Sequence, residues 1–139
     1  MAKAGCQYCD RDEAMAAVGV EVAKLSASTL YFFREQSHPG RCILASGRHL
    51  SDPMDLEEGE RKSFFDDLVR AAGAIKKVFR PDKINYAAFG DKSPHLHFHL
   101  VPKYRDGFEW GDVFAMNPRL AELTEPEYAE AVEKLKRAL

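Results

Sequence analysis

Apolar and polar positions change period several times along this chain. Val18, Val20 and Val22 alternate with polar or small neighbours, which predicts a strand over residues 18–25 with the valines on one face. Residues 29–34 predict its hairpin partner across Ser26-Ala27-Ser28. His38-Pro39-Gly40 marks a turn, and residues 41–45 predict a third strand. From residue 55 to 80 the period lengthens. Phe64, Phe65, Leu68, Ala72, Ile75 and Phe79 recur mostly at steps of three and four, the stripe of a long amphipathic helix with Asp55 and Glu58 as a capping-box-like start and Pro81 as its stop. Residues 83–89 and 95–101 predict two more strands joined by a Gly90-Asp91-Lys92-Ser93-Pro94 loop. A last helix starts at Thr124-Glu125-Pro126-Glu127 and buries Tyr128, Val132, Leu135 and Leu139. Hairpins with one long crossover helix predict an α+β domain on an antiparallel sheet.

The final strand carries the chemistry. In His95-Leu96-His97-Phe98-His99-Leu100-Val101 three imidazoles line one face, about 7 Å apart, and Leu96, Phe98 and Leu100 line the other. Three of the chain's five histidines stand at this strict alternation, which argues against a merely half-exposed packing strand. Two chemical readings remain: a catalytic metal centre with His95, His97 and His99 all as ligands, or nucleophilic catalysis by one imidazole.

The upstream context, Lys83-Ile84-Asn85-Tyr86-Ala87-Ala88-Phe89-Gly90-Asp91-Lys92-Ser93-Pro94, with the histidine strand and Pro102-Lys103-Tyr104, resembles the signature of the histidine triad (HIT) superfamily of nucleotide hydrolases and transferases. The resemblance runs from Cys6 to about Tyr104, so a single domain over residues 1–139 is expected, with a core at 6–104 and an extension at 105–139. It implies a roughly five-stranded sheet, a homodimer and a nucleotide substrate. It further implies that His97, the middle histidine, attacks the α-phosphate to form a nucleotidyl-histidine that water then cleaves, with His99 donating to a phosphate oxygen as charge builds up. A neutral His97 needs its second nitrogen held by a fixed acceptor, such as a backbone carbonyl.

The same resemblance places Asn85 on ribose or phosphate and Glu35 on the ribose hydroxyls. The Gly90–Pro94 loop, one residue shorter than in many relatives, becomes a phosphate cradle through Ser93 and Lys92. Relatives carry a histidine after the Pro-Gly turn to help the leaving group depart; here that position is Arg41, which can neutralise a leaving phosphate but is a poor proton donor. His38 reads as a surface turn residue. Trp110 and Phe114 either meet the nucleotide or pack a core or dimer interface, with packing favoured.

Cys6-Gln7-Tyr8-Cys9 has metal-ligand spacing, but two ligands do not close a zinc site. The resemblance to some bacterial members adds His49 and His95 and implies structural Zn2+ held by Cys6, Cys9, His49 and His95. Two inert thiols and a redox pair are the alternatives, the latter without thioredoxin-like βαβ context. With Cys42 in an apolar run the cysteine count is odd, so a disulfide framework is not expected.

Composition narrows the partners. At 139 residues the chain is 45% hydrophobic and 30% charged with a net charge of −2, which does not describe a nucleic-acid coat, so phosphate must be held by local donors. There is no membrane-length apolar run and no secretory pattern, and a cytoplasmic protein is expected. What the resemblance implies is therefore a nucleotide hydrolase acting on a dinucleoside polyphosphate or nucleoside phosphoramidate. The alternatives are a nucleotidyltransferase and a nucleotide-binding or scaffold dimer with vestigial turnover.

Overall fold

Five strands pair antiparallel in the order β1-β2-β3-β5-β4 in a computed structural model that describes residues 2–139. They are β1 (Gly19–Lys24), β2 (Ser28–Phe33), β3 (Cys42–Ser46), β4 (Lys83–Ala87) and β5 (His97–Lys103). Two short helices, α1 (Gln7–Asp10) and α2 (Glu13–Val18), precede the sheet. A long helix, α3 (Glu58–Phe79), crosses from β3 to the edge strand β4, and α4 (Glu125–Ala138) closes the chain. The expected α+β architecture is therefore the observed one.

One sheet face is hydrophobic core. Leu30, Phe32, Cys42, Leu44 and Leu100 meet Phe64, Leu68 and Ile75 of α3 and Tyr128, Val132 and Leu135 of α4. The opposite face carries Tyr31, Phe33, Ile43 and Ala45, covered by Tyr8 and Met15 from the N-terminal helices. β2 and β3 are consequently buried at every position. The register sets His97 opposite Ala45 and His99 opposite Ile43. Directly paired residues share a face, so the histidines stand on this second surface and not in the core.

Several boundaries shift for physical reasons. Val18 ends α2 and packs with the second cluster, whereas Val20 and Val22 pack with the first. The ladder between β1 and β2 is irregular between Glu21 and Ala23, so the valine stripe is not one continuous face. The expected cap moves upstream: Asp55 accepts from the Asp52 N–H (3.0 Å) in a 3-10 turn, Pro53–Asp55, and α3 starts only at Glu58. At α4 the capping box is as read, with the Thr124 N–H donating to Glu127 at 2.7 Å and the Glu127 N–H to Thr124 at 3.4 Å. β5 continues through Pro102, because β3 ends its pairing at Leu100 and leaves no ladder bond there for a proline to lose. Gly40 has φ +95°, and a Cβ on it would lie 2.7 Å from the Phe79 ring, so the turn needs glycine twice over. Among the described residues no helix is long and apolar enough to cross a membrane.

Candidate active site

His97 and His99 line a cavity of about 410 Å³ on the second face of the sheet. Val18, Phe33, Ile43 and Phe89 form its apolar wall, and Gln7, Lys92, Ser93 and Asn117 its polar rim. Ser93 and Lys92 are thus brought to the histidines as the sequence reading expects. Gln7 and Asn117 were not anticipated: the first reads only as a spacer between cysteines, and the second lies in a segment with no periodicity.

The two histidines are held in opposite tautomers. His97 Nδ1 lies 2.7 Å from the His95 carbonyl. A carbonyl only accepts, so Nδ1 carries the proton and Nε2 keeps its lone pair. His99 Nδ1 lies 3.2 Å from Nη2 of Arg41. A guanidinium only donates, so His99 Nδ1 accepts and its proton sits on Nε2. One ring offers an electron pair and its neighbour, 5.3 Å away between centroids, offers an N–H. Burial pushes the His97 imidazole below its ordinary value against the opposing pull of the His95 carbonyl. His99 is pushed down to about 3, by burial first and then by the Arg41 charge and His97. Both rings are therefore neutral at pH 7.

Arg41 does not reach the cavity. It is fully buried, donates to the carbonyls of Ala115 (3.2 Å) and Met116 (3.0 Å) and to His99, and lies 4.2 Å over Phe33 and 4.9 Å over Phe114. Burial lowers its guanidinium to about 10, with Glu35 and Glu109 opposing, which leaves it charged at neutral pH. The expected contact with a leaving phosphate is thereby corrected: Arg41 is enclosed behind His99 and does not line the cavity.

Glu35 is corrected in the same way. Its carboxylate accepts the N–H groups of Leu120 (2.7 Å), Ala121 (2.9 Å) and Ser37 (2.8 Å) and the Ser37 hydroxyl (2.8 Å). Burial would raise its carboxyl, but these bonds prevail and hold it below the ordinary range. With three of these bonds on Oε2 and one on Oε1 it fastens the segment around Leu120 and Ala121 to the sheet, and it does not line the histidine cavity. Asn85 pairs with Val101, one rung beyond His99, and lines a separate cavity with Lys83, Lys103 and Trp110, so it is not at the histidines. Phe114 packs 6.0 Å from the His99 ring, and Trp110 lies beneath the Arg105 guanidinium at 5.3 Å.

His38, expected at the surface, is 1% exposed and bonds Glu109 at 2.8 Å. Burial lowers its imidazole despite the carboxylate. Glu109 also accepts the Ala115 N–H (3.0 Å), and Lys103 donates to the carbonyls of Glu109 (2.6 Å) and Asp112 (2.7 Å). These contacts hold the loop whose carbonyls hold Arg41.

A second group lies beside the cavity. The ligand atoms of Cys6, Cys9, His49 and His95 all fall within 4.8 Å of one another. Cys6 Sγ and Cys9 Sγ lie 3.5 and 3.6 Å from His95 Nδ1, Cys9 Sγ 3.4 Å from His49 Nδ1, and the two Nδ1 atoms 3.2 Å apart. A tetrahedral zinc with ordinary Zn–S and Zn–N bonds requires edges of about 3.5 Å (S to N) and about 3.3 Å (N to N). The four residues fit that ion. His95 Nε2 donates to the Ser46 carbonyl at 2.8 Å, which turns the Nδ1 lone pair toward the centre. The three strand histidines therefore do not converge on one point: His95 faces the cysteines, and His97 and His99 face the cavity.

The match to the HIT domain covers residues 29–106, more than half of the chain. The chain belongs to the HIT family. A histidine triad protein from Sinorhizobium meliloti superposes with a TM-score of 0.83 at 19% identity, covering 92% of this chain and 95% of that one. One from Bradyrhizobium japonicum gives 0.82 at 20%, covering 91% and 95%. A zinc-bound histidine triad family protein from Mycobacterium smegmatis gives 0.67 at 18%, covering 96% and 92%. No curated protein matches the chain. Cys6, Cys9, Tyr8 and Asn117 all lie outside the matched HIT segment.

Proposed function

We propose that this HIT protein is a nucleotide hydrolase that cleaves at the α-phosphate through a nucleotidyl-histidine. The observation that carries the reading is the pair of opposite tautomers at one cavity. His97 Nε2, with a free lone pair, attacks the α-phosphorus; a P–N bond forms as the bond to the leaving group breaks with its electron pair. The His99 Nε2–H donates to a non-bridging oxygen as charge accumulates. Ser93 and Lys92 bind the phosphates. Water then attacks the phosphorus, releases His97 and yields the nucleoside monophosphate. A leaving group of the polyphosphate class departs as a stable anion, and an amine of the phosphoramidate class takes its proton from a water in the cavity as its bond to phosphorus breaks. Wild-type protein mixed with a dinucleoside polyphosphate and quenched in base is expected to carry one nucleoside monophosphate on His97, read by mass spectrometry of the peptide. Single-turnover conversion with no acid-labile adduct at any time point would instead mean direct attack by water.

Cys6, Cys9, His49 and His95 are proposed to hold a structural zinc ion, which would brace α1 against the strand that carries His97 and take no part in bond breaking. Elemental analysis is expected to find about one zinc per chain. Cys9→Ser should lose it and melt at lower temperature. Protein purified without chelator and free of zinc would refute this.

A further inference from the structure

The Cys6–Cys9 segment does more than supply two sulfurs. Between them Tyr8 turns inward. It is 6% exposed, and its ring stacks on His97 with centroids 5.1 Å apart and planes inclined by 30°. The same ring lies 5.2 Å from His95. Tyr8 thus touches a residue of the metal-ligand group and the nucleophile at once, and it also walls the cavity.

His97 needs such a partner. Its hydrogen bond goes to the carbonyl two residues back, just before β5, which fixes the tautomer and ties one edge of a ring whose torsion is otherwise broad, leaving its flat face to be packed. The edge of His99 meets His97 at 69°. Tyr8 supplies the flat contact that holds the plane, and with it the direction of the Nε2 lone pair.

The Tyr8 ring packs with Tyr31, Phe33, Ile43 and Ala45, and what ties its backbone to the sheet is the ligand cluster. α1 has four residues, too few to stand without external ties. Those ties are Cys6 and Cys9 toward His49 and His95, and, just downstream, Arg11 to Thr29 (3.1 Å) and Glu21 (3.0 Å). Without an ion the contacts among the four ligand atoms are weak, because sulfur is a poor hydrogen-bond partner. With the ion they become coordinate bonds.

We infer that Tyr8 is a positioning residue that transmits occupancy of the Cys6–Cys9–His49–His95 site to His97, so that metal binding aligns the nucleophile. The inference rests on the proposed roles of His97 and of the metal site. It goes beyond a brace by naming the side chain through which one site acts on the other.

The test follows the ring resonances of His97, assigned by their loss in His97→Asn, in the wild type, Tyr8→Phe and Tyr8→Leu. In the zinc-loaded wild type the stacked ring should shift the His97 carbon-bound protons upfield. Tyr8→Phe should keep that shift, and Tyr8→Leu should abolish it while retaining zinc. Chelation should remove the shift in the wild type, and zinc added back should restore it there and in Tyr8→Phe but not in Tyr8→Leu. In the loaded proteins kcat should fall about 10- to 100-fold in Tyr8→Leu, with KM little changed and Phe restoring the rate. Zinc retained with His97 resonances indifferent to both chelation and Tyr8→Leu would overturn the inference. So would a rise in KM at constant kcat, the mark of a mere pocket wall. A wild type that takes up no metal would overturn both the zinc reading and this inference, and metal analysis of the wild type alone tells that failure apart.

Discussion

Turnover of His97→Ala is expected to fall by about 10⁴-fold or more, because in the proposed mechanism the residue makes and breaks the bond to phosphorus and no neighbour can replace its lone pair. His99 cannot: its free ring nitrogen is engaged by Arg41 at 3.2 Å. His95 cannot, since its Nδ1 lies among the cysteines and its Nε2 donates to Ser46 at 2.8 Å. Zinc content should be unchanged, and stability should fall only by about 1–3 kcal/mol for the lost packing. The comparison needs single-turnover kinetics, metal analysis and a melting curve on the same preparation. Stoichiometric loss of metal from His97→Ala would show that the three histidines share an ion, and the nucleophile assignment would fall.

Arg41→Leu should cost both stability and rate. It leaves the carbonyls of Ala115 and Met116 and Nδ1 of His99 without their donor, at a cost of about 3 kcal/mol, or about 10 °C in melting temperature. The His99 ring also becomes free to move its proton to Nδ1, and losing one oriented donor should lower kcat about 10- to 100-fold. Because the guanidinium is enclosed and does not line the cavity, this loss should be the same for phosphoanhydride and phosphoramidate substrates of one nucleoside. A selectivity ratio that narrows in the variant would put Arg41 back on the leaving group.

The pH dependence gives the same residue a second test. His99 is held at about 3 when folded and returns to an ordinary histidine value when unfolded. Its contribution is therefore complete above about pH 6.5 and is lost as pH falls, because the unfolded chain then binds a proton that the folded one refuses. Between about pH 6.5 and 5 this amounts to about 2 kcal/mol in the wild type. Arg41→Leu removes the charge that, after burial, depresses His99 most, so the folded variant takes up its proton at higher pH and the slope in urea titrations should flatten below about pH 5, earlier than in the wild type. Slopes that stay parallel as the pH falls toward about 4 would mean that burial and His97, without Arg41, set the histidine.

The contrast between Glu35 and Ser93 shows what kind of residue could be read in advance. Ser93 belongs to a loop directly before the histidine strand, and chain connectivity alone brings it to the site. Glu35 reaches its true partners, Leu120 and Ala121, some 85 residues away in sequence, and nothing near Glu35 announces them. His38 with Glu109, and Arg41 with Ala115 and Met116, follow the same rule: each is a polar side chain at the end of the β2–β3 turn that is claimed by the irregular segment after β5. Asn85 fails for a different reason. It is on the correct sheet face but one rung too far along, and a register of two residues decides which cavity it lines.

The sequence by itself determined the strands, the long helix, the α4 cap and the alternation that sets His97 and His99 on a chemical face, because periodicity and capping are properties of neighbours in the chain. It also pointed to Cys6, Cys9, His49 and His95 as one group, through cysteine spacing and resemblance. The tertiary structure alone decided the tautomers of His97 and His99, the seat of Arg41 behind His99, the use of Glu35 as a fastener and the stacking of Tyr8 on His97. Each of these depends on a donor, acceptor or ring delivered from a distant segment, and a side chain's protonation and orientation are set by what packs against it in space.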